Sequence, residues 1–242
     1  SSDFGDLNRS VSDNAAVSGA HNGIDWGSAA VQRPSVTYMP GSGRIISNGG
    51  NAPDGGVMEF ITISTLGNGV NFGDSAGGNT RAYCGATANA TRAMFMGGDT
   101  PSKTDLVDAV EIASRGNSFD FGNLTATAGT SQGCASTTRA INAGGVSGSY
   151  SNIIEYAAFA TAGNFTDFGD LTAATGGPAG ASSPTRGLFM GGYTPSADNK
   201  IDYITISSTG NATDFGDLTT TIVYAAGGAS STRALRMGGA TV

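Results

Sequence analysis

Apolar residues alternate with polar ones in several short stretches: EFITIST at 59–65, IEYAAFA at 154–160 and YITIS at 203–207. A period of two predicts strands with one buried face. Four such stretches run into a Gly-Asn pair, at 67–68, 116–117, 163–164 and 210–211. Four residues after each asparagine stands an aromatic followed by glycine, at Phe72, Phe121, Phe168 and Phe215; Asn22 and Trp26 repeat the step near the start of the chain. In DLVDAVEIAS at 105–114, Leu106, Val107 and Val110 also fit one helical face. Alignment to IDYITISS at 201–208 makes it a strand.

A second signature is an arginine followed five residues later by Gly-Gly. It occurs at Arg44, Arg92, Arg139, Arg186 and Arg233, with spacings of 48, 47, 47 and 47 residues. A fixed period of this length marks a repeat architecture. In the fourth copy the predicted strands are 174–182, 186–192, 200–208 and 212–218. Four antiparallel strands in about 47 residues are the size of a propeller blade. Arginine, apolar strand, Gly-Gly, variable loop, alternating strand, turn, then aromatic and leucine: this order resembles the kelch motif. Only Trp26 keeps the tryptophan that kelch repeats carry at the aromatic position; Phe4, Phe72, Phe121, Phe168 and Phe215 replace it. The style of DFGDLT and STRG also resembles Gly/Ser/Thr-rich repeat proteins of tailed phages, marine ones especially.

The resemblance implies an all-β fold: one five-bladed propeller over 1–242, with blades at about 30–75, 80–124, 127–171, 174–218 and 221–239. Residues 12–28 align with 200–217, so they are expected to supply the two outer strands that the last blade lacks, pairing with 233–239. Residues 1–11, with a further DFGDL, form an N-terminal arm. Five blades crowd their inner strands, and the small residues Gly133, Ala135, Gly176, Gly177, Ala179 and 225–228 suit that place. The FG aromatics are expected to wedge between blades.

Composition narrows the function. Charged residues are 13% of 242 and glycine is 39, which disfavours both disorder and an all-helical fold. No apolar run approaches the ~20 residues of a membrane-spanning helix. A net charge of −7 and a pI near 4.5 oppose binding to a phosphate backbone. The first residues, SSDFGDL, show no secretory leader. Two cysteines, Cys84 and Cys134, make no disulfide scaffold.

The arginine ring reads as a set of bonds to carboxylates or carbonyls stapling adjacent repeats. The DxxD pairs, such as Asp167 with Asp170, read as turn caps rather than Ca²⁺ ligands. His21, the only histidine, reads as a turn residue, and no catalytic, metal or cofactor constellation is expected. The loops after the double glycines differ most between copies, and recognition usually sits on such loops. Asp54, Asp99, Tyr150 and Tyr193 are the candidate binding residues there. The expected function is a non-enzymatic structural or interaction module of a phage particle, in tail, fibre or adhesion apparatus, located in the virion or outside the cell. Its partners would be other virion proteins or a host receptor or glycan. The alternative is a lectin using tyrosines 38, 83, 150, 193 and 224, read as not recurring at one repeat position.

Overall fold

The structure, a computed structural model, describes residues 15–18 (backbone only), 43–50, 56–76, 80–99 and 101–240. Among them the fold is all-β, in five antiparallel sheets. The first holds β1 (Ala15–Ser18), β2 (Arg44–Asn48), β3 (Val57–Thr62) and β4 (Val70–Asp74). The second holds β5 (Gly85–Ala88), β6 (Arg92–Met96), β7 (Leu106–Glu111) and β8 (Phe119–Asn123). The third is β9 (Gln132–Ala135), β10 (Arg139–Ala143), β12 (Ser149–Ala158) and β13 (Thr166–Thr175), with β11 (Val146–Ser147) added at one end of β12. The fourth is β14 (Ala179–Ser182), β15 (Arg186–Thr194), β16 (Ser196–Thr205) and β17 (Thr213–Asp217); the fifth is the pair β18 (Ala226–Ala229) and β19 (Ala234–Met237). DLVDAVEIAS is a strand, as alignment required: Val107, Ala109 and Val110 are buried.

The first strands of the sheets lie side by side in chain order, β1 on β5, β5 on β9, β9 on β14 and β14 on β18. Their small residues are required by that approach. A Cβ on Gly180 would sit 2.5 Å from the Gly133 carbonyl oxygen, and one on Gly227 would sit 2.0 Å from that of Gly180.

The opposite edges of the sheets are stapled by the Gly-Asn turns. Gly163 donates its amide to the Phe121 carbonyl at 2.8 Å, and Phe165 donates to that of Asn123 at 2.8 Å. Asn164 Oδ1 accepts the Asn123 amide at 3.1 Å. The same three bonds tie 116–118 to β4 and 210–212 to β13. The turn presses so closely on the FG glycine that no side chain fits. At Gly169, φ is 144° and a Cβ would lie 2.5 Å from the Gly210 carbonyl.

Between the staples lie the aromatics. Phe72, Phe121 and Phe168 are 2–3% exposed and join clusters with Ile112, Phe159 and Ile206 of the following sheets. Burying each contributes about 1.5–3 kcal/mol. Phe215, which no further four-stranded sheet follows among the described residues, is 53% exposed, and Leu235 and Met237 on β19 are exposed with it.

The amino-terminal segment departs from expectation. Ala15–Ser18 pairs with β2, Ala15 opposite Asn48 and Ser18 opposite Ile45, and not with 233–239. Its sequence, AAVS, matches the small-residue inner strands GATA, QGCA, AGAS and AGGA better than the bulky outer ones. The rest of 12–28, with His21 and Trp26, and the arm 1–11 lie outside the described residues; among the described residues β18 and β19 form a two-stranded sheet.

The staple gives a direct comparison. Gly169→Ala is expected to lower stability by about 3 kcal/mol through strain plus displacement of the turn. Gly216→Ala, at the equivalent place with none of the described residues within 4 Å of its Cβ, should cost about 1 kcal/mol. Urea unfolding of both variants measures the difference, and equal losses would contradict the contact.

Candidate functional site

Each predicted arginine can be placed. Arg44 Nη1 donates to the Ile112 carbonyl at 2.6 Å and to that of Ala113 at 3.0 Å. Arg92 donates to the Phe159 carbonyl and pairs with Glu111. Arg139 reaches the Ile206 carbonyl at 2.9 Å. Each acceptor ends the third strand of the next sheet. The guanidinium planes also cover rings of their own repeats: Arg44 over Phe60, Arg139 over Tyr156, Arg186 over Tyr203. A fork that both donates and stacks suits arginine rather than lysine. Arg186 keeps the stacking, and the Arg233 amide closes a turn on the Ser230 hydroxyl at 3.1 Å.

One repeated feature is absent from the sequence reading. Glu59, Asp108, Glu155 and Asp202 are buried on the third strands of four sheets. Glu155 accepts the amide and hydroxyl of Thr125, at 2.7 and 2.8 Å, and the Asn142 amide group at 3.1 Å. Asp202 accepts the same two groups of Thr172. Asp108 instead meets Arg81 at 2.6 Å, and Arg81 also donates to the carbonyls of Gly97 and Leu106. The signal was available as an acid 15 or 16 residues after Arg44, Arg92, Arg139 and Arg186.

Two of the four candidate residues, Asp99 and Tyr150, line one cavity of about 940 Å³, bounded by the inner strands β5, β9, β14 and β18. Asp99, Lys103, Val146 and Tyr150 reach it from the double-glycine loops, and Tyr83 and Tyr224 from the segments preceding the inner strands. Tyr193 packs on Tyr150 with ring centroids 5.6 Å apart. Asp54 lies outside the described residues, as does Tyr38. Asp99 forms an ion pair with Lys103 at 3.7 Å.

Tyr83 and Tyr224 do share a repeat position, contrary to the sequence reading: each stands nine residues before its arginine, with Thr130 and Gly177 at the same place. All four are left-handed, with φ of 57°, 55°, 62° and 54° in chain order. Their backbones form a belt along one end of the inner strands. Thr130 donates to Tyr83 at 2.9 Å, Gly177 to Thr130 at 2.8 Å and Tyr224 to Gly177 at 3.2 Å. The residue before each is bridged to the residue after a double glycine: 82 to 99, 129 to 146, 176 to 193 and 223 to 240. The loops are thereby fastened beside the belt. A β-branched residue at positive φ is strained, and such strain gathers at functional sites.

The electrostatics of the cavity are mild. Partial desolvation, then Tyr193 and Tyr224, holds the Tyr150 phenol above its ordinary range. Cys84 and Cys134 line the wall as free thiols. Burial pushes Cys84 up to about 11, with Arg81 opposing, and Cys134 higher still. Among the described residues no three His, Cys, Asp or Glu side chains are grouped to hold a metal. No protein-family profile matches the chain, and no curated protein sequence matches it.

Burial pushes Glu155 above its ordinary 4.5, against the Thr125 and Asn142 bonds that favour the ionised form. The folded state then binds the proton more tightly than the unfolded chain. This contribution to stability is present below about pH 4.5 and is lost as pH rises through the native value. The stability of the native chain relative to Glu155→Gln is therefore expected to fall between pH 4.5 and neutrality, read from urea midpoints across that range. A gap that widens with pH would reverse the assignment.

Proposed function

We propose that the chain is a non-enzymatic binding module, a kelch-like five-bladed β-propeller that holds divergent loops around the mouth of an axial cavity. The carrying observation is convergence. Asp99 and Tyr150, from different sheets, reach one cavity, and Tyr193 from a third sheet stacks on Tyr150. Succession of the inner strands β1, β5, β9, β14 and β18 supports the radial arrangement. The carboxylates of the third strands support a role without bond chemistry, because Thr125, Thr172 and Arg81 engage them inside the scaffold.

The module serves in a phage particle, as a tail, fibre or adhesion component facing other virion proteins or a host surface. The style of the repeated DFGDL and STR-GG motifs supports this placement, and a rigid scaffold presenting variable loops is the form such recognition takes. Antibody labelling of particles purified from the native source should mark an appendage. Signal confined to the soluble fraction of the host would overturn the virion assignment.

A further inference from the structure

The belt and the cavity together define a ligand class. We propose that the cavity mouth is a carbohydrate site, in which Tyr224 and Tyr150 offer ring faces to a pyranose and Asp99 and Ser131 take its hydroxyls. The proposal rests on the binding-module reading and deepens it.

Four observations carry it. The two rings flank one stretch of backbone: a Cβ on Gly177 would lie 2.6 Å from Tyr224 Cδ1, and one on Gly176 would lie 3.3 Å from Tyr150 Cδ1. Glycine there lets the rings lie down on the main chain, leaving Tyr224 exposed. Second, most of the wall is alanine, glycine, serine and threonine, with Cys84, Cys134, Gln132 and Pro178 among them, and Val146 is its one branched aliphatic residue. The wall offers no cluster of large aliphatic side chains to hold a peptide anchor; a polyol with an apolar CH face suits tyrosine platforms beside hydroxyls. Third, Ser131 is 5% exposed and lines the cavity, and its Oγ has no hydrogen-bond partner among the described residues; nor has Oγ1 of the half-buried Thr130 beside it. Buried hydroxyls are ordinarily bonded, so both are poised for a ligand oxygen. Fourth, Tyr83, Thr130 and Tyr224 hold a conformation that glycine adopts without cost. The fourth repeat uses glycine there, and the retained tyrosines are the side chains that reach the cavity. The net negative charge of the chain favours neutral or basic sugars over sulfated or sialylated ones, while within the cavity Asp99 is offset by Lys103.

The same glycine supplies the test. Tyr224→Gly installs the residue of the fourth repeat, so the variant should fold with equal or higher stability. The full chain is applied to an array of neutral, amino and acidic oligosaccharides, and in parallel to a random dodecapeptide library. Binding of a neutral or amino sugar, reduced at least tenfold in Tyr224→Gly and Tyr150→Ala and restored in Tyr224→Phe, is the expected result. Sugar binding that both tyrosine variants leave unchanged would overturn the site. Peptide binding without sugar binding would overturn the ligand class and leave the binding-module reading standing. No binding to either array would overturn the sugar site and count against the module reading as well.

Discussion

The architecture depends on one contact: the Gly-Asn turns at 116–117, 163–164 and 210–211, each seated on the outer strand of the sheet before it. Three hydrogen bonds are made there, each worth about 1 kcal/mol net, and the glycine under the turn admits no Cβ. With this edge held, the FG phenylalanine is sealed from water and the arginine of one repeat lies against the third-strand carbonyl of the next. The far end shows the converse. Where no further turn covers β17 among the described residues, nothing of them lies within 4 Å of a Cβ on Gly216, and Phe215 is exposed. Neighbour contacts of this kind make stability a sum over repeats and interfaces.

At the other end of the strands the spacing is set by backbone rather than side chains. Inner strands approach until only glycine or alanine fits between them, and the belt from Tyr83 to Tyr224 ties their ends. Thr130 and Gly177 are held left-handed by belt bonds on both sides, and Tyr83 and Tyr224 by one each, so the direction of any side chain there is set by the scaffold. Pre-organisation of that sort lowers the ordering cost of binding. The bridges from the belt to the double-glycine loops extend the rigidity into segments whose sequences differ most.

The repeat was legible because its makers are residue types with one use each: arginine for the carbonyl and the ring, asparagine for the edge amide, glycine for the contact. The buried acids were not, since alternation assigns polar residues on a strand to the solvent side. Sheets stacked face to face bury both sides, and Glu155 and Asp202 lie inside. The belt escaped for the opposite reason. Tyr83, Thr130, Gly177 and Tyr224 share a conformation and not a chemistry, so letters alone do not align them by type. Residues 15–18 were assigned by their neighbours at 22–26, whereas their own small side chains fit an inner strand.

The turn staple is tested most directly by amide hydrogen exchange. The account predicts that the amides of Gly116, Gly163 and Gly210 exchange as slowly as those within the sheets they join, opening only with the repeats themselves. Rapid exchange at these three amides, with the neighbouring strands still protected, would contradict it.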